Sequence, residues 1–267
     1  MSLDQRKERF MSRTALPADR HQLIRERLQQ DGRVLAAELA VLFGVSEDSV
    51  RRDLRELAAA GICQRVYGGA IAMTPTPINI RLRSAANVEY KEMLARAAAL
   101  LVQPGQLIFL DASSTNLAVA HALPRELGLT VATNAPAIAA ALNEREDIDV
   151  LVIGGRLDHK VGGTLGVGAL QELQRMRPDL CFLGICSIDA EAGIGSIESE
   201  DAAFKRALVA GCGSIVAVAT PEKLGTASPY FIAPLAEIAQ LVVVADSDVE
   251  QIKRIRQTGV TVIMATD

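Results

Sequence analysis

The stretch "VSEDSVRRDLRELAAAG", residues 45–61, has the pattern of a short amphipathic helix. At about 100° per residue, three apolar side chains fall on one side of that helix: Val50, Leu54 and Leu57. Three arginines fall on the opposite side: Arg51, Arg52 and Arg55. One face is therefore built to be buried, and the other presents guanidinium groups either to solvent or to a partner.

The segments around this helix favour a partner over solvent. Residues 18–32, "ADRHQLIRERLQQDG", and residues 33–44, "RVLAAELAVLFG", each predict a helix that ends at a glycine. Ser46 is placed to cap the third helix through its hydroxyl. Two helices joined by a glycine-containing turn of about four residues form a helix-turn-helix. Residues 62–73, "ICQRVYGGAIAM", predict a small hairpin, or wing, behind it.

The arginine face thus belongs to the helix that enters the major groove of DNA in this motif. Arginine suits that position because its planar fork can bond guanine or grip phosphates. We expect Asp48 to orient Arg52 or to accept a hydrogen bond from a cytosine amine. The predicted DNA-facing residues, with two wing residues last, are Ser46, Asp48, Ser49, Arg51, Arg52, Arg55, Arg65 and Tyr67.

Charge and composition agree with this interpretation and exclude other classes. The chain of 267 residues has a net charge of −4, but residues 1–73 carry +2 and the remainder −6. A slightly basic part on an acidic body is compatible with nucleic-acid binding. No apolar run approaches the roughly 18 residues of a membrane span, and the charged N-terminus lacks a signal-peptide core. The four cysteines and three histidines have no metal-ligand spacing. We therefore expect a cytoplasmic protein without metal or cofactor.

The rest of the chain predicts a different architecture. We divide the sequence into a flexible arm (1–17), a winged helix-turn-helix (18–73), a proline-containing linker (74–88) and an α/β domain (89–267). In the last part, short β-branched runs alternate with helical segments, which indicates a mainly parallel sheet covered on both faces. The predicted strands are 106–111, 129–133, 149–155, 180–185, 214–219, 240–245 and 260–265.

Small residues, most of them polar, lie at or just after the ends of three of these strands, where ligands bind in open α/β sheets. These residues are Asp111, Ser113, Ser114, Thr115, Asn116, Thr133, Asn134, Gly154 and Gly155. Hydroxyl-rich loops that lead into helices offer hydrogen-bond donors and a positive dipole end, which suits phosphate. Simple helix capping by the same residues is the alternative interpretation. Lys205 and Lys223 could complete an anion site, although each alone would be an ordinary surface lysine.

Several enzyme signatures are absent from the sequence. There is no Gly-x-Ser-x-Gly elbow, and the glycine-rich run 162–168 lacks the lysine and Ser/Thr of a P-loop. No predicted strand leads into a GxGxxG turn. A serine hydrolase, a Walker-type NTPase and a dinucleotide-binding enzyme are therefore disfavoured.

Longer motifs resemble one family. Residues 45–70, "VSEDSVRRDLRELAAAGICQRVYGGA", together with "PGQLIFLDASSTN", "LTVATNAPAIAAAL", "PDLCFLGICSID" and "EDAAFKRAL", resemble the DeoR family of bacterial sugar-metabolism regulators. The resemblance covers roughly residues 20–265. It implies a winged helix-turn-helix and a sensor domain similar to ribose-5-phosphate isomerase and CoA-transferase folds. Members are usually repressors that a phosphorylated sugar or a related metabolite releases from operators.

The family motifs map onto particular positions of this sequence. The resemblance implies DNA contacts at Ser46, Ser49, Arg51, Arg52 and Arg65. It implies effector contacts at Asp111, Ser114, Thr115, Thr133, Asn134, Gly154, Gly155, Glu200, Lys205 and Lys223. The chain departs from the family where members often have glycine (here Ser113), histidine (here Tyr67) and Asp-x-Ser-Lys (here 220–223). Glu222 adds a negative charge beside the expected phosphate site.

The sequence thus predicts a repressor that binds double-stranded operator DNA and a phosphorylated sugar. Because one winged module buries little DNA, we expect a homo-oligomer, either a dimer or a tetramer. One alternative is a sugar-phosphate isomerase or CoA-transferase-like enzyme with Asp111, Asp189 or Glu200 as the base. Another is an architectural DNA-binding protein with an inert body, whose DNA affinity no ligand would alter.

Overall fold

The computed structural model describes residues 16–76 and 79–266, so most of the predicted arm 1–17 lies outside the described residues. In residues 16–76, three helices and a three-stranded antiparallel sheet form a winged helix-turn-helix. Its elements are α1 (Pro17–Asp31), β1 (Arg33–Leu35), α2 (Ala36–Phe43), α3 (Glu47–Ala59), β2 (Cys63–Val66) and β3 (Gly69–Ala72). The hydrophobic core of this domain includes Ile24, Leu28, Leu39, Val50, Leu54 and Leu57.

The prediction of helix over residues 33–44 was wrong at its start. Arg33–Leu35 is a strand that pairs with β3, with Val34 opposite Ala70. A β-branched, buried valine suits that pairing. Helix α2 begins only at Ala36, whose N–H donates to the carbonyl of Gly68 at 2.7 Å. At Gly69 the strands approach so closely that a Cβ would lie 1.9 Å from the Val34 oxygen, so only glycine fits.

An ion pair that the sequence analysis did not anticipate fixes the orientation of α3. Arg20 of α1 donates from Nε to Asp53 Oδ2 at 2.7 Å and from Nη2 to Asp53 Oδ1 at 2.9 Å. Both residues are buried. Asp53 lies on α3, so this two-pronged contact ties the arginine-bearing helix to its support.

Across residues 79–266, seven strands form a parallel sheet, which confirms the predicted α/β architecture. In chain order they are β4 (Leu107–Leu110), β5 (Leu129–Thr133), β6 (Ile148–Val152), β9 (Leu180–Leu183), β12 (Ser214–Val218), β14 (Gln240–Val244) and β15 (Thr261–Ala265). Each lies within, or overlaps, a predicted strand. The largest hydrophobic core surrounds this sheet and contains the fully buried Phe109, Phe182 and Phe204.

Helices and smaller sheets complete this domain. The helices are α4 (Ile80–Ala85), α5 (Val88–Ala99), α6 (Ser114–Ala122), α7 (Pro136–Leu142), α8 (Val167–Gln174), α9 (Ser199–Gly211) and α10 (Val249–Arg256). One antiparallel hairpin joins β7 (Arg156–Asp158) and β8 (Gly163–Leu165). Another sheet contains β10 (Ser187–Asp189), β11 (Gly193–Ser196) and β13 (Tyr230–Ala233). Within the two described ranges, no helix is both long and apolar enough to cross a membrane.

The strand order places one crevice at the centre of the parallel sheet. The order is β15-β14-β12-β9-β4-β5-β6, so the chain winds outward in opposite directions from the neighbours β4 and β9. Ligands of open α/β sheets bind outside the carboxyl ends of strands at such a switch point. A binding site is therefore expected at the loops after β4 and β9.

Candidate nucleic-acid interface and effector cleft

The N-terminus of α3 is capped as the sequence predicts. Ser46 Oγ accepts a hydrogen bond from the Ser49 backbone N–H at 3.3 Å, and the two hydroxyls lie 3.0 Å apart. The apolar face of α3 is buried, and its arginines are exposed. Each predicted residue on this helix therefore lies at or beside the outer face.

The expected pairing of Asp48 with Arg52 was wrong. Asp48 Oδ1 instead accepts from Arg51 Nη1 at 3.3 Å, and Glu47 accepts from the same guanidinium at 2.9 Å. The spacing of three and four residues brings these acidic side chains onto the Arg51 stripe of the helix. In the part of the chain that the structure describes, Arg52 and Arg55 have no ion-pair partner. They are the arginines most directly available to DNA.

The wing carries the other predicted DNA contacts. Arg65 lies on β2 and is exposed, and Tyr67 in the turn is 94% exposed. An aromatic side chain at such exposure contributes nothing to the core. The wing therefore presents one guanidinium and one phenol to the surroundings of α3.

The second candidate site lies where β4 and β9 end, and Asp111 is at its base. Asp111 Oδ1 accepts from the Gly184 N–H and from Asn116 Nδ2, both at 2.7 Å. Lys205 Nζ lies 3.6 Å from Asp111 Oδ2 and 2.5 Å from Asp201 Oδ2. Ser196 also donates to Asp201, at 2.6 Å. The two strand ends and helix α9 thus form one buried polar network.

Burial and charge oppose each other in this network. Burial raises the pKa of Asp111 to about 6, because desolvation outweighs the attraction of Lys205. Burial alone would lower the pKa of Lys205, but the carboxylates of Asp201 and Asp111 raise it above its ordinary value. Lys205 is therefore a cation held in place by two acidic groups.

Lys223 is in a different situation. It ends a short 3-10 helix, Pro221–Lys223, and is buried. Among the described residues its ammonium has no hydrogen-bond or ion-pair partner. Burial lowers the pKa of Lys223, Cys186 and the Glu222 carboxylate partly offset this shift, and the nearby cations Arg83 and Lys205 add to it. Its neighbour Glu222 accepts a 2.6 Å hydrogen bond from the Thr220 hydroxyl. The cleft therefore contains an ammonium that no described side chain binds directly, although the Glu222 carboxylate attracts it.

The cleft brings only some of the predicted effector residues together. Of these, Ser113, Ser114, Lys205 and Lys223 line it. The lining also includes residues that the sequence analysis missed: Arg83, Gly184, Cys186, Ser196, Glu198 and Asp201. The cleft encloses about 20 Å³, which is room for about one water molecule.

Other predicted residues build the loops rather than line the cleft. Asn116 bonds the carbonyls of Asp111 and Phe182 at 3.0 and 2.7 Å. Thr133 Oγ1 donates to the Leu110 carbonyl at 2.6 Å. Asn134 accepts from the Ala112 N–H at 3.0 Å and donates to the Thr164 carbonyl at 3.1 Å. Thr115 is also buried and does not line the cleft.

Three predicted residues lie away from the cleft. Gly154 and Gly155 are exposed beyond β6. Gly155 has a φ of 147°, and a Cβ there would lie 2.8 Å from the Leu165 carbonyl, so its role is close packing. Glu200 is exposed and pairs with Arg156 at 2.5 Å. Glu200 and Asp201 are consecutive residues of α9 and point in different directions from the helix axis, so Asp201 faces inward instead.

Asp189, the other carboxylate considered as a catalytic base, also has a structural contact. Its Oδ1 accepts from the N–H groups of Glu191 and Ala192 at 2.8 and 3.1 Å. These bonds close the turn between β10 and β11. Asp189 does not line the cleft.

Comparison with known proteins assigns both domains. Residues 20–76 match the DeoR-like helix-turn-helix domain, and residues 86–245 match the DeoR C-terminal sensor domain. The chain belongs to the DeoR family. It is a transcriptional regulator with a DNA-binding and a sensor domain, which confirms the prediction of a regulator rather than an enzyme.

Relatives match this DeoR-family protein over most of their length. A putative aga operon transcriptional repressor of Escherichia coli O157:H7 is 31% identical over 92% of this chain and 93% of its own. The glycerol-3-phosphate regulon repressor of Escherichia coli K12 is 34% identical over 77% of this chain and 82% of its own. Among solved structures, ribose 5-phosphate isomerase A of Methanocaldococcus jannaschii has 15% identity and a TM-score of 0.37 over 52% of this chain and 55% of its own.

Proposed function

We propose that this protein represses a sugar-catabolism operon and releases its operator when a phosphorylated sugar binds in the cleft between β4 and β9. Residues 18–73 act as the DNA reader and residues 89–267 as the sensor, joined by 74–88. The DNA contacts come from α3 and the wing: Ser46, Ser49, Arg51, Arg52, Arg55, Arg65 and Tyr67. The effector contacts are Ser113, Ser114, Lys205 and Lys223.

The Lys223 ammonium, which no described side chain binds directly, carries this proposal. A cation on a buried side chain with no directly bound anion is costly, and an anion that enters the cleft offsets this cost. The Ser113 and Ser114 hydroxyls stand at the N-terminus of α6, where the helix dipole also favours negative charge. A phosphate group has enough oxygens to meet the lysine, the hydroxyls and backbone N–H groups together.

A thermal-shift screen tests effector binding. Phosphorylated sugars and polyols are compared with their unphosphorylated counterparts, and Lys223→Gln serves as the variant. At 100 times the dissociation constant, a true ligand stabilises the fold by about 2.7 kcal/mol. We expect a shift from phosphorylated compounds only, and its loss in Lys223→Gln. Equal shifts with the unphosphorylated compounds, or none at all, would refute a phosphate-binding cleft.

Operator release needs a second measurement. Genomic fragments selected by the protein are titrated in a mobility-shift assay, with and without the compound found in the screen. The proposed function requires weaker DNA binding in its presence, because the ligand must prefer the state that does not bind DNA. An unchanged affinity would favour the architectural protein with an inert body.

The repressor is proposed to act as a homo-oligomer in the cytoplasm, where its DNA partner is. A dimer or tetramer places two readers on one operator, and a single winged module buries too little DNA for tight specific binding. Size-exclusion chromatography with light scattering distinguishes these states. A monomer at micromolar concentration would contradict this part of the proposal.

A further inference from the structure

The segment between the two domains is docked onto the sensor. Met73 forms a parallel bridge with Ala227, and the Thr74 N–H donates to the Ala227 carbonyl at 2.7 Å. The hydroxyls of Thr74 and Thr76 both donate to the carbonyl of Cys186, at 2.8 and 2.9 Å. Cys186 lines the cleft. The segment from Met73 to Thr76, which follows the last strand of the DNA-reading domain, is therefore bound to the cleft wall.

Helix α4, which comes next among the described elements, packs beside the same cleft. Ile80 donates from its N–H to the Lys160 carbonyl at 2.8 Å, and a Cβ at Gly162 would lie 2.9 Å from Ile80 Cγ1. At the other end, Lys91 donates to the carbonyls of Arg83 and Ala86. Both ends of the helix are thus anchored to the sensor domain.

Arg83 is the residue of α4 that reaches the cleft. Its Nη2 donates to the carbonyls of Lys160 and Val161 at 3.2 and 3.3 Å, and it lines the cleft together with Lys223. The guanidinium is near enough to Lys223 to lower the pKa of that lysine. Two like charges brought together at one cleft favour an anion between them.

The size of the cleft adds a constraint. About 20 Å³ holds one water molecule and not a phosphate group. An anion larger than water that enters this space presses on its walls, and α4 is the wall element that follows the DNA reader in the sequence.

From these observations we propose that Arg83 is a ligand of the effector's phosphate group, so that the interdomain segment forms part of the effector site. This inference rests on the proposed function. When phosphate enters, Arg83 exchanges the carbonyls of Lys160 and Val161 for phosphate oxygens, which form stronger charge-assisted bonds with its planar fork. Helix α4 moves with its arginine, and the segment from Met73 to Thr76 responds through the Cys186 carbonyl, which belongs to the same cleft wall. Effector binding therefore displaces the attachment of the DNA reader.

Calorimetric titration of the full-length protein with inorganic phosphate, at constant ionic strength set by chloride, tests the assignment. The variant is Arg83→Gln, and Arg81→Gln on the exposed side of the same helix is the matched control. We expect Arg83→Gln to weaken phosphate binding about tenfold or more, and Arg81→Gln to leave it unchanged. Lys223→Gln should also weaken it. Phosphate affinity unaltered in Arg83→Gln, with a loss in Lys223→Gln, overturns the role of Arg83 and leaves the proposed function intact.

Hydrogen exchange on the unmodified protein gives a measurement that does not depend on whether a variant folds. Phosphate should change the exchange of the backbone amides in residues 79–86 as well as near Lys223. Protection near Lys223 alone would overturn the inference. If inorganic phosphate neither binds nor protects any segment, the proposed phosphate-binding function fails, and the role of Arg83 fails with it.

Discussion

The carboxylate of Glu191, in the sensor domain, accepts a 2.6 Å hydrogen bond from Arg33 of the DNA-reading domain. The same carboxylate accepts from the backbone N–H of Tyr67 at 2.9 Å and from Arg254 of α10 at 2.8 Å. Glu191 follows the β10 strand, in the turn that Asp189 closes. One acidic side chain thus links the wing and β1 to the sensor.

Removal of this carboxylate is expected to strengthen DNA binding. Glu191 places a negative charge beside the wing and occupies the Tyr67 N–H, a type of donor that binds phosphates in protein–DNA interfaces. Glu191→Gln should raise affinity for DNA of any sequence by about two- to fivefold, the scale of an exposed ion pair. Glu250→Gln is the control, because it removes an equal charge from the exposed surface of α10. Equal effects of the two variants in a fluorescence anisotropy titration would show that only net charge matters.

Arg52 is expected to contribute directly to operator recognition. If it bonds a base, Arg52→Ala costs about 1–3 kcal/mol on the operator and less on unrelated DNA. If Arg52 binds only phosphate, Arg52→Ala lowers the affinity for the operator and for unrelated DNA by similar factors. Competition binding with the two DNAs measures the difference, and Arg125→Ala on the sensor surface controls for a lost charge. Full operator affinity in Arg52→Ala would exclude this residue from the interface.

The Arg20–Asp53 pair predicts a loss of stability rather than a direct loss of DNA contact. Asp53→Asn removes the carboxylate that accepts two hydrogen bonds from the buried guanidinium of Arg20, which should cost about 3 kcal/mol of unfolding free energy. Arg51→Gln, on the exposed face of the same helix, should change stability by about 0.5 kcal/mol or less. Urea unfolding followed by circular dichroism measures both. A near-neutral Asp53→Asn would mean that the pair does not stabilise the DNA-reading domain.

Asp111 predicts a pH dependence of stability. Its pKa in the folded protein is raised to about 6 from an ordinary value of 3.8. A raised pKa means that the folded state holds the proton more tightly, so protonated Asp111 stabilises the fold relative to the ionised form. This stabilisation is complete below about pH 4 and is lost as pH rises through about 6. The loss amounts to about 3 kcal/mol at most. Unfolding free energies of the wild type should therefore fall relative to Asp111→Asn between pH 4 and pH 7. Parallel pH profiles would contradict the raised pKa.

Much of the architecture was predictable because its signals are local. The buried and exposed faces of α3 follow from helical periodicity within 13 residues, and the Ser46 cap follows from its position. The strands of the parallel sheet were predictable because both of their faces are buried, which produces nearly continuous apolar runs. Strand β1 was not, since three residues carry little periodicity and its partner lies in the wing.

The candidate cleft was predictable only in part. Ser113, Ser114, Lys205 and Lys223 were predicted because they are polar residues close to strand or helix ends. Asp201 could have been found from its spacing of four residues before Lys205 on one helix. Gly154, Gly155 and Glu200 also stand at strand or helix ends in the sequence, yet they lie away from the cleft. The local sequence pattern does not show which loops come together in the fold.

The sequence by itself determined two domains, a capped arginine-bearing helix and a parallel sheet, because periodicity, capping and apolar runs act over a few neighbouring residues. Only the tertiary structure decided that residues 74–76 and 80–86, within the predicted linker, are docked on the sensor domain rather than free of it. The prolines and polar groups of the linker would look the same in either case. The difference lies in the carbonyls of Lys160, Val161 and Cys186, which distant parts of the chain bring within hydrogen-bond reach of Arg83, Thr74 and Thr76.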